Sequence, residues 1–179
     1  MAFFLTTNGQ LRPYQFRYLE GDYERARLEP TEIHSELGNK VPRPVLKDKK
    51  EFFAIDVMNK PVFALPVDSL LSTVRDEMKK HGIRHVPLIK EKKLMGMVSD
   101  RDLLKVESSG TFFYLKADSI MTTVIVVADE ETPLAHIARV LLEEKISALP
   151  IIDESHHLTG MITRTDILKA VIYNRLVLK

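Results

Sequence analysis

Residues 96–102 read GMVSDRD and residues 160–166 read GMITRTD. Each string is a glycine, two apolar residues, a hydroxyl residue, two variable positions and an aspartate, and the offset is 64 residues (160 − 96). One copy is explained by a helix start, in which Ser99 or Thr163 caps the first free amides and the acid three residues on reaches back. Two copies at a fixed offset ask for more. Self-similarity at a set period marks duplicated supersecondary units that bury their apolar faces against each other.

Working outward, residues 56–105 align on 119–169 with a period of 63, rising to 64 through one extra residue near His156 and His157. Met58 falls on Met121, Pro87 on Pro150, Gly96 on Gly160, Asp102 on Asp166 and Leu104 on Leu168. In the first copy PVFAL reads as a strand. Asp68 then opens a helical pattern through Leu70, Leu71, Val74 and Met78 that Gly82 closes. IRHVPLI and KLMGMVS follow as a hairpin around the charged turn KEK, with Pro87 restricting how the first run pairs, and a second helix begins after Ser99. The second copy repeats the order as VIVVA, a helix capped by Thr132 with Pro133 in its first turn, ISALPII, LTGMIT and RTDILKAVIYNRL. Each unit reads β-α-β-β-α.

Residues 1–50 belong to neither copy. They mix aromatics with turn formers and prolines, and no long periodic stretch is visible, so an arm with little core of its own is expected. The connection VESSGTFFYLK carries an apolar run, Phe112 to Leu115, expected to pack on the module or on a partner. The methionines fall mostly at apolar-pattern positions and are expected to fill gaps in the core.

Composition narrows the chemistry. The chain has 179 residues and 45% hydrophobic content, enough for one domain or two small repeats. No apolar run approaches the roughly 20 residues of a membrane span, and the start lacks a signal-peptide pattern, so no membrane association and a cytoplasmic location are expected. Zero cysteines exclude disulfides and thiolate chemistry. A net charge of +1, and 9 basic against 7 acidic residues in 1–50, give no field for tracking a nucleic acid. His156 and His157 lack an acid or cysteine to complete a tetrahedral set, so no metal is expected. Ser99 and Thr163 sit at cap positions without a partnering base, so no catalytic residue and no enzyme activity is expected.

A strand that delivers a hydroxyl to a helix amino end also gathers free amides, the positive end of a dipole and a carboxylate at one point. The amides suit a phosphate, and an ionised aspartate suits the paired hydroxyls of a ribose.

Residues 51–179 resemble a pair of cystathionine-β-synthase (CBS) domains, the arrangement called a Bateman module. DVMNKPV and DSIMTTVIVV at the starts, IRHVPLI and ISALPII in the middle, and GMVSDRDLLK and GMITRTDILK at the ends carry the likeness. The resemblance implies an α/β (α+β) fold of two pseudo-symmetric β-α-β-β-α CBS repeats packed sheet to sheet, with an irregular N-terminal extension. The boundaries expected are 1–50 for the extension, 51–108 for repeat 1 and 109–179 for repeat 2. It further implies two clefts that bind AMP, ADP, ATP or a related adenosine compound as regulatory ligand.

By motif position, one cleft takes Thr163 and Asp166, with Lys60, Leu65, Ile83, His85 and Met161 around base and sugar. The other takes Ser99 and Asp102, with Met97, Thr123, Ala128, Ile146 and Ala148. Arg101 and Arg164 are available for phosphate, at different places in their strings. His85 stands where the second copy has the small Ala148, so it either contacts a phosphate or crowds the base. The resemblance also implies a homodimer, and the output is expected to lie in an unidentified effector protein. The competing reading is a ligand-free interaction scaffold, in which the same strings serve only as helix caps.

Overall fold

The computed structural model describes residues 3–19 and 51–173. The chain opens with a hairpin, β1 (Phe3–Thr7) and β2 (Gln10–Tyr14), and after residue 51 makes a one-turn helix, α1 (Ala54–Val57). The first repeat follows as β3 (Leu65–Pro66), α2 (Leu71–His81), β4 (His85–Lys90), β5 (Lys93–Ser99) and α3 (Asp100–Val106). The second is β6 (Ile125–Asp129), α4 (Leu134–Glu143), β7 (Ala148–Ile152), β8 (Leu158–Thr163) and α5 (Arg164–Ile172). Both repeats therefore have the expected β-α-β-β-α order.

Local chemistry sets most boundaries. Gly82 ends α2 in the left-handed region, at φ 63°, where a side chain would be strained. Glu91 and Lys92 both have positive φ, as a two-residue hairpin turn between β4 and β5 requires. Helix α4 starts at Leu134 with Pro133 as its N-cap, one residue later than expected, and the buried Thr132 hydroxyl donates to Asp129 Oδ1 at 2.7 Å. Strand β3 is only two residues long. Its parallel pairing with β4 begins at Leu88, and that of β6 with β7 at Ile151, each one residue past a proline that has no amide to donate.

Strands β3-β4-β5 form one sheet and β2-β1-β6-β7-β8 the other. The two strands at one edge of the larger sheet, β2 and β1, correct the expectation of an irregular extension for residues 3–14, while residues 20–50 lie outside the described residues. β1 pairs antiparallel with β6, from Phe3 opposite Ala128 to Thr6 opposite Ile125. The turn between β1 and β2 is Asn8-Gly9, at φ 50° and 78°. Phe3 and Phe16 are buried, with their rings 5.3 Å apart, and the Tyr18 hydroxyl donates to Glu144 at 2.9 Å beyond the end of α4. Residues 3–19 are thus a strand pair and strap that complete the second repeat's core.

The core has three parts. One lies between the larger sheet and α4, around Ile137, Leu149 and Ile162. A second lies in the first repeat, around Leu71, Val86, Val98 and Phe112. The third, Leu94 with Ile125, Val127 and Ile152, joins the two sheets, with Phe4 of the hairpin closing one side. Of the apolar run in the connection, Phe112 is 1% exposed, whereas Phe113 and Tyr114 stand in solvent.

The segments that lead into the two repeats are exchanged. Residues ahead of the first repeat pack on the second: Ala54 N–H donates to Thr132 O at 2.9 Å, and Asn59 makes paired backbone hydrogen bonds with Met161. Residues ahead of the second repeat pack on the first, where Thr122 and Met97 pair in the same way. The two motif glycines permit this. A Cβ on Gly96 would lie 2.5 Å from Met121 Sδ, and one on Gly160 would collide with Met58 Sδ. The close approach available at each glycine is therefore used by a methionine of the exchanged segment.

Candidate functional site

Each doubled string runs down a strand, β5 or β8, and turns into a helix, so the hydroxyl and the acid face each other across the first turn. Ser99 Oγ donates to Asp102 Oδ2 at 2.6 Å, Ser99 N–H donates to the same oxygen at 3.1 Å, and Ser99 Oγ accepts from Asp102 N–H. Thr163 repeats the pattern, its hydroxyl donating to Asp166 Oδ2 at 2.6 Å and its amide at 2.9 Å. Both strings are capping boxes. Burial pushes the Asp102 carboxyl up, but the Ser99 hydroxyl, the Lys105 ammonium at 2.9 Å and the Ser99 amide outweigh it, and its pKa lies below the usual value. A carboxylate thus lies at a helix amino end in both repeats, with Lys105 or Lys169 one turn on.

The two ends differ in what surrounds them. Asp166 is the more buried, with 8% of its side chain exposed against 18% for Asp102. Its Oδ2 accepts a third hydrogen bond, from Asn59 Nδ2 at 2.8 Å. Asn59 falls on Thr122 in the repeat register, and Thr122 makes no bond to Asp102. Arg164 is held by its own chain: Nε donates to Ile146 O at 2.8 Å and an outer guanidinium nitrogen to Leu141 O at 3.0 Å. Among the described residues the Arg101 guanidinium has no hydrogen-bond or ion-pair partner and lies at an exposed position.

His85 pairs with Ser99 across β4 and β5, and reaches the other repeat, where Nε2 lies 2.8 Å from Ser147 Oγ. Burial holds its pKa below the ordinary histidine value, with Arg84 and Arg101 acting the same way and Asp100 and Asp102 opposing. Ser147 O in turn accepts from Arg164 N–H, at the amino end of α5.

Of the other expected lining residues, Leu65, Ile83, Met97, Thr123 and Ile146 are partly exposed and Lys60 is exposed. Met161 and Ala148 are nearly buried. Ala128 corrects its expectation: it has no exposed surface, because it lies in the α4-side core under the strand pairing with Phe3. Asn59 and Ser147 were not singled out from sequence; aligning Asn59 on Thr122 exposes a polar difference beside the acid, and that was the available signal. Among the described residues there is no group of three or more potential metal ligands and no helix long and apolar enough to cross a membrane.

The sequence pattern of the CBS domain matches residues 54–109 and 117–173. An inosine-5′-monophosphate dehydrogenase of Chlorobaculum parvum is 33% identical over 144 residues, 76% of this chain and 28% of that protein. The chain spans between 20% and 45% of the length of the curated relatives it matches. In fold it is similar to the CBS domain pair of protein MJ0100 in complex with 5′-methylthioadenosine and S-adenosyl-L-methionine. That likeness has a TM-score of 0.64 at 23% identity, over 71% of this chain and 100% of that one. The structure of CBSX2 in complex with AMP is similar at a TM-score of 0.62 and 24% identity, over 70% of this chain and 99% of that one. With two domain matches in register with its own internal repeat, this chain belongs to the CBS-domain family and carries the domains in tandem.

Proposed function

We propose that this protein is a non-catalytic, cytoplasmic regulatory module that binds an adenine nucleotide between its two CBS repeats. Occupancy is signalled by a change in shape or assembly to an effector protein. The observation that carries the reading is the pair of buried-edge carboxylates, each beside a helix amino end and fixed by a hydroxyl from the preceding strand. A ribose takes an acceptor, and a phosphate takes helix amides and an arginine, so the same point serves both halves of a nucleotide. Fold neighbours crystallised with AMP and with S-adenosyl-L-methionine support the ligand class.

Thermal unfolding against a panel of AMP, ADP, ATP and S-adenosyl-L-methionine tests the function. A ligand at about 100 times its dissociation constant stabilises the folded state by roughly 2.7 kcal/mol, a shift of several degrees. The capping boxes favour a second reading, since they satisfy hydroxyl and acid without any ligand. In that case the module is an empty scaffold, and no compound in the panel moves the transition.

The assembly is a homodimer. Leu104 and Leu168, equivalent in the two repeats, are 66% and 63% exposed on α3 and α5, and Ile172 adds a further apolar side chain at 72%. A shared apolar face on two repeat-related helices suits a twofold contact with a second copy. Light scattering at micromolar concentration is expected to give twice the chain mass, and a Leu104→Glu, Leu168→Glu variant half of that; a monomeric wild-type mass contradicts the dimer.

A further inference from the structure

We propose that the outer edge of residues 62–65, in the first repeat, is a seat for a strand of the effector protein, added antiparallel as β1 is added to the second repeat. The occupant is an extended segment with apolar or hydroxyl side chains at alternate positions. The inference gives the effector of the reading above a surface to meet, and it does not depend on a nucleotide.

The internal repeat shows what covers such an edge. In the repeat register Val62 falls on Ile125, Ala64 on Val127, Leu94 on Leu158 and Met95 on Thr159. β1 pairs with residues 125–128 and also packs across the seam on β5. There the buried Thr6 hydroxyl donates to Leu94 O at 3.4 Å, and a Cβ on Gly9 would lie 2.7 Å from Met95 Sδ. Under this cover Leu94 and Ile125 are 5% exposed and Val127 is fully buried. At the repeat-related place no strand is present among the described residues, and Val62, Ala64, Leu158 and Thr159 are all partly exposed. The backbone agrees with the side chains. Val67 N–H donates to Ile89 O and Leu65 stands opposite Leu88, so alternate residues of this run turn their amides and carbonyls toward β4. Those of Val62 and Ala64 point the other way, to the side that β1 takes in the second repeat, and have no backbone partner among the described residues. An unpaired edge above a partly bare apolar strip is a template for strand addition, in which main-chain bonds give affinity and alternate side chains choose the partner. β1 supplies the pattern: Phe4 and Thr6 turn to the seam, and Phe3 to the core under α4.

The probe is a synthetic peptide of residues 3–16, the strand pair that fills the equivalent seat, titrated into the ¹⁵N-labelled full chain. Saturable shifts of the Val62, Ala64, Leu158 and Thr159 amides are expected. A peptide carrying Phe4→Asp and Thr6→Asp should bind at least tenfold more weakly. Val62→Lys in the protein should weaken the unaltered peptide by a similar factor while the amide dispersion stays that of the wild type, and Thr159→Lys makes the same test from β8 should the first variant not fold. No shift at millimolar peptide would overturn the seat. So would shifts confined to residues 125–128, where the peptide merely displaces the chain's own hairpin, or equal affinity in a folded variant. Equal binding of the altered peptide would overturn the apolar pattern of the occupant. Each of these results leaves the nucleotide reading standing, because the thermal panel tests that reading separately.

Discussion

At the scale of the residue, Ser99, Thr163 and their aspartates are helix caps, and their substitution has a defined structural cost. Ser99→Ala or Thr163→Ala is expected to lower stability by about 1 kcal/mol in urea unfolding, as the loss of a hydroxyl cap does. Gly160→Ala is expected to lose about 1–3 kcal/mol, since the new methyl group meets Met58 in a packed core. A Gly160→Ala protein as stable as wild type would show that Met58 has room to move. His85 gives a pH effect of known sign. Its folded pKa lies below the ordinary value of 6.5, so as pH falls through 6.5 the unfolded chain takes the proton first and stability declines toward the folded pKa. In His85→Gln that slope should be shallower between pH 7 and 5, with the part due to His136, also lowered by burial, still present. The caps themselves were readable from S-x-x-D and T-x-x-D. The Asn59 and Ser147 contacts were not, because they join residues 107 and 62 positions from their partners, and no local pattern encodes a pairing at that distance.

At the scale of the element, the alternation of apolar residues and the turn chemistry made all six strands and all four helices of the two repeats legible, apart from the length of β3, which the proline next to its pairing site limits. The N-terminal hairpin was not read, although Asn8-Gly9 between two five-residue runs is a strong hairpin signal. The aromatics and prolines around it concealed the alternation. The exchange of lead-in segments was equally hidden: residues 54–59 are contiguous with the first repeat in sequence, and only their burial against the second decides where they belong. The hairpin is expected to matter for stability. Phe16→Ala, at 5% exposure and in contact with Phe3, should lose about 3–5 kcal/mol by chemical unfolding. Removing residues 1–19 should expose the β6 edge and lower the transition further; an unchanged transition would mean that the strap adds nothing to the second repeat.

At the scale of the whole molecule, two copies of one unit bury a common seam of Leu94, Ile125, Val127 and Ile152, and the two acids follow the far ends of β5 and β8 from it. The strand-to-helix string occurs in both copies, and its surroundings differ at Asn59, His85 and the arginines. The central claim is that these acids hold a nucleotide as well as their own caps. Calorimetric titration of AMP and ATP into the full chain and into the Asp102→Ala, Asp166→Ala double variant tests it most directly. The account predicts saturable heat in the wild type and a loss of about 1.5–3 kcal/mol of binding energy, on the order of ten- to a hundred-fold in affinity, in a variant that still unfolds cooperatively. Equal affinity in the two proteins would contradict it.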